Sequence, residues 1–434
     1  MKQQSTKMIL FPWFVCALGA IVYSYEYLLR MSPSVMQDEL MRFYHLTGLQ
    51  YGYLSGSFYY FMYVIMQIVV GLLMDRYGPR RLLTAACFFC AMGAWLFACS
   101  HQLIFAMAGR FLIGFGSAFA FVGATKLATI WLPPERFAII SGIILCLGMV
   151  GAMFGDTVLR ALVDTIGWQP AIRSAAVSGI VIAFIVWVVV RDTNPYHYIK
   201  HHHVSTMSEV LSGLWRMLGN KQLWIVGTVG CLFYLFLSAF AEFAAPAWLH
   251  QVHHLTRSHA ANATSMVFLG CACGAPFWGL ISDYFRRRRI PMIIASSGAL
   301  ISFCTLLYVR DLPITTVYVL LFLFGFLSSV QILVFAVARE LTSVRSAGTA
   351  IGMINMLVMI SGLVFPPLIG KLLDLNWSGL IEEGSRVYSA TTYTIAFTAL
   401  PIGIFVGILL TLCIRETYCN VTYADSDVVH TIGH

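Results

Sequence analysis

Twelve apolar runs, each close to the length that crosses a bilayer, leave this chain few folds to choose from. They lie at 11–31, 52–74, 82–99, 103–128, 138–160, 172–190, 222–248, 261–281, 290–309, 313–338, 347–370 and 391–414. A spanning helix needs about 20 apolar residues, and in lipid only helices or closed barrels satisfy their own backbone. The chain is 59% hydrophobic and 11% charged, whereas a soluble domain carries about 25% charged residues. A water-soluble core is therefore excluded. The first run is too long and too aromatic for a cleaved leader, and no small-residue cleavage site precedes the next segment.

The runs fall into two sets of six. Gly71-Leu72-Leu73-Met74-Asp75-Arg76-Tyr77-Gly78-Pro79-Arg80-Arg81 joins the second and third runs. Gly279-Leu280-Ile281-Ser282-Asp283, followed by Arg286, Arg287, Arg288 and Arg289, joins the eighth and ninth, 208 residues later. A junction repeated at half the chain length predicts two copies of one six-helix bundle, an architecture of transporters. The expected organisation is a first half at 1–190, a cytoplasmic linker at 191–221 and a second half with a short tail at 222–434. The linker holds His197 and His201-His202-His203, which read as a solvated loop.

Basic residues set the orientation. With the N-terminus inside, the inner segments carry seventeen Lys and Arg and the outer segments six. Basic loops are retained in the cytoplasm, so both termini are expected there. The net charge of +8 thus reports topology. Its scatter over short loops excludes a nucleic-acid partner. The eleven cysteines have neither zinc-ligand nor thioredoxin spacing and read as small packing residues. The sequons at Asn262 and Asn420 carry no weight. No metal and no cofactor is expected.

Seven ionisable residues fall within the runs: Glu26, Arg30, Arg110, Lys126, Asp156, Arg160 and Glu242. Each costs about 2.5–3.5 kcal/mol at mid-bilayer, so they must face water or one another. Lys126 and Arg160 lie close enough to helix ends to snorkel. Tyr23, Glu26, Tyr27 and Arg30 share one face of the first run. Arg30, with its planar fork, suits a carboxylate, while Glu26 either carries a proton or forms a permanent pair with Arg30. Tyr53, Ser57, Tyr60, Tyr63 and Gln67 form a second stripe, which lines a cavity or packs between helices. Tyr234, Ser238 and Glu242 share a face of the seventh run. Asp156 and Arg160 stand four apart in the fifth, and Gln331 and Asn355 are buried amides in the tenth and eleventh. The expected solute site is Tyr23, Tyr27, Arg30, Tyr53, Tyr60, Tyr63, Gln67, Arg110, Lys126, Tyr234, Ser238, Gln331 and Asn355. Glu26, Asp156 and Glu242 are the expected proton carriers.

The junction at Gly71–Arg81 resembles the loop signature of the major facilitator superfamily. Arg110-Phe111-Leu112-Ile113-Gly114-Phe115-Gly116 and Ala347-Gly348-Thr349-Ala350-Ile351-Gly352-Met353-Ile354-Asn355 resemble its fourth and eleventh helices. Pro79 departs from the pattern, which has an arginine there. The resemblance spans nearly the whole chain and implies twelve helices in two halves that rock about a central site. In that scheme Gly71, Asp75, Arg76, Gly78, Arg80, Arg81, Gly279, Asp283 and Arg286 act as gating residues. Gly71 would allow close helix packing, and Asp75 would accept hydrogen bonds from arginines or a facing helix N-terminus. Trp131-Leu132-Pro133-Pro134-Glu135-Arg136 and Gly167-Trp168 resemble the organic-anion and sugar-acid importers. Arg30-Met31-Ser32-Pro33-Ser34-Val35-Met36 resembles the lysosomal dipeptide-transporter branch and its bacterial relatives.

These features point to a monomeric, multi-pass transporter of a bacterial inner membrane, powered by an ion gradient because no nucleotide motif is present, with the proton as the expected coupling ion and sodium as its rival. Its expected cargo is a small carboxylate-bearing solute: an organic acid, a sugar acid, a peptide or a citrate-type metal chelate. Multidrug efflux is the alternative within transport, although the fifth run lacks the glycine-proline motif of drug antiporters. A non-transporting receptor is the alternative outside it. An enzyme is excluded, since no nucleophile–base set, paired metal ligands or phosphate loop is present.

Overall fold

The computed structural model describes residues 2–67, 69–132, 137–192, 215, 217–342, 347–382 and 385–420. The Pro133–Arg136 loop and the linker histidines lie outside these residues. Eleven helices are long and apolar enough to cross a membrane: α1 (Phe11–Val35), α3 (Pro79–Cys99), α4 (Leu103–Trp131), α5 (Ile140–Ile166), α6 (Trp168–Val189), α7 (Lys221–Ala241), α8 (Arg257–Phe285), α9 (Arg289–Tyr308), α10 (Ile314–Glu340), α11 (Gly348–Leu375) and α12 (Ala390–Thr411). The twelfth span, α2, is a bent pair, Gly48–Met66 and Val70–Tyr77. The one departure from an all-helical fold among the described residues is a two-residue hairpin, Ile381–Glu382 with Ser385–Arg386, between α11 and α12.

Proline and glycine explain several helix boundaries. Pro79 occupies the first turn of α3, where a missing N–H costs nothing. The preceding Gly78 has φ +79°, which a side chain rarely adopts. The departure from the loop signature at Pro79 is thus a helix start. The seventh run is not one helix. It widens into a π turn at Phe236–Ala241, unwinds, and resumes as the short helix Ala245–Val252. Pro246 lacks the N–H that would return to the carbonyl of Glu242, so the break falls there. Further π turns occur at Tyr53–Ser57 in α2 and Gly155–Leu159 in α5, and a 3₁₀ turn at Ser329–Ile332 in α10.

Within the first six helices the packing is backbone to backbone. A Cβ added to Gly93 of α3 would meet the Gly109 carbonyl of α4 at 2.6 Å, and one added to Gly109 would meet the Gly93 carbonyl at the same distance. Small residues give such helices their van der Waals contact where lipid offers no hydrophobic drive.

The first and last six helices meet chiefly at one end of the molecule, the end distal to residue 192. There Gly48, Gly52 and Gly56 of α2 lie against Gly370, Pro367, Pro366 and Gly362 of α11, with an added Cβ 2.5–2.7 Å from α11 backbone or Pro366. Arg257 of α8 bonds Asp38 at 3.1 Å, and Glu39 also receives Arg160 of α5 at 2.8 Å. At the linker end the same helices have separated. A Cβ at Gly71 of α2, Gly142 of α5, Gly279 of α8, or Gly348 and Gly352 of α11 would meet nothing within 4 Å. The close packing expected of Gly71 is therefore absent from this conformer.

Gly109→Ala is expected to cost about 1–3 kcal/mol, the usual cost of overpacking. Gly352→Ala should be neutral or stabilising, since it adds a methyl in open space and removes helix-glycine entropy. Thermal unfolding of the purified protein in detergent separates the two, with the first midpoint falling and the second unchanged or raised.

Candidate functional site

The site grows from a proline. Pro33, near the end of α1, cannot donate to the carbonyl of Leu29. The Ser32 hydroxyl supplies one donor, at 2.8 Å, and Arg110 of α4 another, with Nη1 3.0 Å from the Leu29 oxygen. Its Nη2 reaches the oxygens of Ser55 at 2.7 Å and Arg30 at 3.5 Å, and Nε that of Leu54 at 3.3 Å. Leu54 and Ser55 lie in the π turn of α2. The guanidinium also stacks 5.0 Å from the Tyr59 ring. Arg110 therefore pins α1 to α2 through backbone oxygens. It was expected to bind solute, but here each of its three nitrogens is engaged with a backbone oxygen.

That arrangement presents Arg30 at the junction of the halves. Its Nε donates to Glu242 Oε2 at 3.0 Å, and Nη2 to the hydroxyl of Tyr234 at 2.7 Å and to that of Tyr60. Met359 Sδ of α11 lies 3.9 Å from Nη2. Nη1 has no hydrogen-bond partner among the described residues. Five phenol rings surround the guanidinium carbon: Tyr60 at 4.9 Å, Tyr27 at 5.0 Å, Tyr59 at 5.7 Å, Tyr234 at 5.9 Å and Tyr63 at 6.0 Å. Tyr23 joins the cage edge-on to Tyr27, 5.1 Å between centroids. Cation–π contact in such a desolvated setting contributes about 2 kcal/mol or more.

The carboxylates are not arranged as the first helix alone suggested. Arg30 pairs with Glu242, from the broken region of the seventh run, and no hydrogen bond joins it to Glu26. Glu26 instead accepts the Tyr59 hydroxyl at Oε1, leaving Oε2 without a partner. Glu242 Oε2 also accepts Tyr60, while Oε1 is unpartnered. Asp156, fully buried in the π turn of α5, has no hydrogen bond at either oxygen. An ionised carboxylate with neither cation nor donor is costly in such an interior.

Several other residues fall elsewhere than expected. Tyr53 is 41% exposed, because the π turn inserts a residue between it and Tyr60 and rotates it off the common face. Ser57 donates to the Leu363 carbonyl of α11 at 2.7 Å, so its role is to join the halves. Ser238 bonds Ser361 Oγ at 2.9 Å, joining α7 to α11 within the second half. Lys126 lies at the linker end, paired with Asp75 at 2.6 Å, both more than a third exposed. Gln331 is buried with Nε2 unpartnered, and Gln67 and Asn355 are half-buried. Tyr59 and Met359 escaped the sequence reading. Helical spacing puts Tyr59 off the Tyr60–Tyr63 stripe, and a lone methionine carries no polar signal.

The family model for the Major Facilitator Superfamily matches residues 16–366 and 232–418. This chain belongs to that superfamily. It is an integral-membrane transporter and not an enzyme. A probable sulfoacetate transporter of Cupriavidus necator is 22% identical over 84% of this chain and 88% of its own length. A probable galactarate/D-glucarate transporter of Escherichia coli K12 is 25% identical over 87% and 89%. A hexuronate transporter of Bacillus subtilis is 23% identical over 87% and 92%. Among solved structures, a bacterial homologue of the human lysosomal transporter Spinster, inward-facing and occupied, superposes with a TM-score of 0.77 at 15% identity, covering 93% of this chain and 97% of that one.

In this facilitator the signature loops form two unlike polar clusters. In the first, Asp75 takes Lys126 and not an arginine. Arg80 donates its backbone N–H to Asp192 at 2.8 Å, and its guanidinium reaches the Trp187 carbonyl at 2.9 Å and stacks on the Trp187 ring at 4.5 Å. Arg76 stacks on Tyr77, and Arg81 is exposed. In the second, Arg286 ends α8 in the left-handed region and donates to Asn420. The central cation is Arg288, which binds Asp283 at 2.7 Å and both oxygens of Glu340 at 2.6–3.2 Å. Burial opposes the charge on Arg288, but hydrogen bonds to Glu340 and Asp283 outweigh it and hold the guanidinium above its ordinary range. Four consecutive arginines gave no sign of which one would turn inward.

Arg110→Leu is expected to destabilise the protein by on the order of 3 kcal/mol, because it strands several buried carbonyls. A thermal-unfolding midpoint depressed with and without solute checks this. A residue that only contacts solute would leave the solute-free midpoint unchanged.

Proposed function

We propose that this protein is a proton-coupled importer of a small carboxylate-bearing solute. It would act in a bacterial inner membrane with both termini cytoplasmic and halves 1–190 and 222–434, joined by the 191–221 linker, rocking about the central site. The single observation that carries the reading is Arg30: one caged guanidinium, bound to a carboxylate of the opposite half. The named relatives, which are described as transporters of sulfoacetate, sugar diacids and hexuronates, support an anionic cargo.

The geometry suggests an exchange of carboxylates. A solute carboxylate arriving at the Arg30 fork competes with Glu242 for the same donors. Glu242, once displaced, has lost its cation and takes a proton, since an unpaired carboxylate is too costly in that interior. Solute and proton are then carried together, and release of both restores the Arg30–Glu242 pair. Asp156 and Glu26 are the reserve proton sites, as each has at least one unpartnered oxygen. With the linker end cytoplasmic, the conformer described here is inward-facing. The Asp75–Lys126 pair would belong to the gating machinery and not to the solute site.

Glucarate, glucuronate and sulfoacetate are suitable first probes in a thermal-shift screen, since a true ligand stabilises by mass action. With the anion so identified, Arg30→Lys should weaken binding tenfold or more by removing the bidentate fork. Glu242→Gln should abolish proton-driven accumulation in proteoliposomes while permitting solute exchange. Undiminished accumulation by Glu242→Gln with an unchanged pH profile would remove Glu242 from the coupling. Loss of transport when sodium is replaced by choline would replace the proton with sodium.

A further inference from the structure

Asp374, at the distal end of α11, does something that neither the loop signature nor the solute site accounts for. Its two carboxylate oxygens accept the first backbone N–H groups of α2, Gly48 N to Oδ1 at 2.9 Å and Leu49 N to Oδ2 at 2.8 Å. A side chain of one half thus caps a helix of the other. Thr47 is the local N-cap of α2 and takes the amide of Gln50, leaving Gly48 and Leu49 for Asp374. Tyr388 reinforces the contact. Its hydroxyl donates to Asp374 Oδ1 at 2.6 Å and accepts from Gly48 N at 2.8 Å. Arg386 completes the cluster at 3.0 Å from Oδ1 and stacks 4.4 Å from the Trp377 ring. An anion at a helix N-terminus is favoured by both the free N–H groups and the helix dipole.

The sequence around Asp374 repeats a pattern already met. Gly370-Lys371-Leu372-Leu373-Asp374 has the Gly-x-x-x-Asp spacing of Gly71–Asp75. The aspartates also sit at matching heights on their helices. Asp75 lies 27 residues after Gly48, where α2 starts, and Asp374 lies 26 residues after Gly348, where α11 starts. The glycine one turn before Asp374 is pressed against α2, where a Cβ on Gly370 would meet the Gly48 carbonyl at 2.1 Å. The glycine one turn before Asp75 meets nothing within 4 Å. The α2–α11 pair is thus latched at its distal end and released at the linker end.

We infer that Asp374, bridged by Tyr388, is the latch that holds the distal gate shut, and that its hydrogen bonds to Gly48 and Leu49 must break for the site to open on that side. The latch is a conformational device independent of what Arg30 binds. It acts through backbone amides, so no side chain of α2 reveals it in the sequence.

Hydrogen–deuterium exchange on the purified, solute-free protein tests it without labels. Asp374→Asn keeps the size and one acceptor but loses the charge and the second oxygen. It should move the conformational ratio toward the distal-open state by about tenfold, the factor that one charge-assisted hydrogen bond supplies. Uptake in a peptide covering 46–52 should rise, and uptake in peptides near Gly71 and Gly348 should fall as that end closes. Tyr388→Phe should move both regions the same way by less, and it serves if Asp374→Asn does not fold. Unchanged exchange at 46–52 in the folded variants would overturn the latch. So would a rise at both ends together, which would mean general loosening and not a switch.

Discussion

A guanidinium buried at the meeting of two helical bundles is the constraint around which the rest of this structure is arranged. Arg30 cannot sit among apolar helices without an anion and hydrogen-bond acceptors. The chain meets that requirement from both halves: phenols of α1 and α2 on one side, and Glu242 and Tyr234 from the seventh run on the other. Each contribution distorts the helix that makes it. Pro33 ends the regular part of α1, a π turn widens α2 just before Tyr60, and Pro246 breaks the seventh run beside Glu242. The carbonyls that these distortions release are taken by Arg110 and by Tyr51, whose hydroxyl lies 2.9 Å from the Pro33 oxygen and 2.8 Å from that of Phe243. A pair that joins the two halves is also the pair that must change when they move.

The fold was largely legible in the sequence, because a membrane span is written as a contiguous run. The boundaries of α1 through α12 follow the apolar segments and their glycine and proline stops. The broken seventh run and the π turns were not legible, since they depend on which neighbour takes each released carbonyl. The site was legible by composition and not by pairing. Arg30, Glu242, Tyr60 and Tyr234 could each be picked out as polar groups that lipid would not tolerate. That Arg30 would choose Glu242, 212 residues away, over Glu26 one turn away depends on how the halves meet. Lys126 misled because an ammonium at a helix end serves a cavity or a loop aspartate equally well. Arg288 and Asp374 were missed for a related reason: the partners that give them meaning are a distant glutamate and a pair of backbone amides.

The asymmetry of the two ends gives the molecule its direction. Glycines of α2 and α11 touch at one end and meet nothing within 4 Å at the other, so in the proposed cycle the pair would act as a lever with the Arg30–Glu242 contact between its ends. A carboxylate that replaces Glu242 at Arg30 would therefore act on the bond between those ends. In this way a small solute can bias a large motion, since it needs only to prefer one arrangement of that pair.

Proton uptake on solute binding tests the central claim most directly. Isothermal titration calorimetry of the most stabilising anion, run at pH 7 in buffers of different ionisation enthalpy, counts the protons exchanged per solute bound. If a solute carboxylate takes Arg30 from Glu242, the wild-type protein should take up close to one proton per solute, and Glu242→Gln should bind with none. Tight binding by the wild-type protein with no proton uptake, or equal uptake by Glu242→Gln, would contradict the exchange of carboxylates at Arg30.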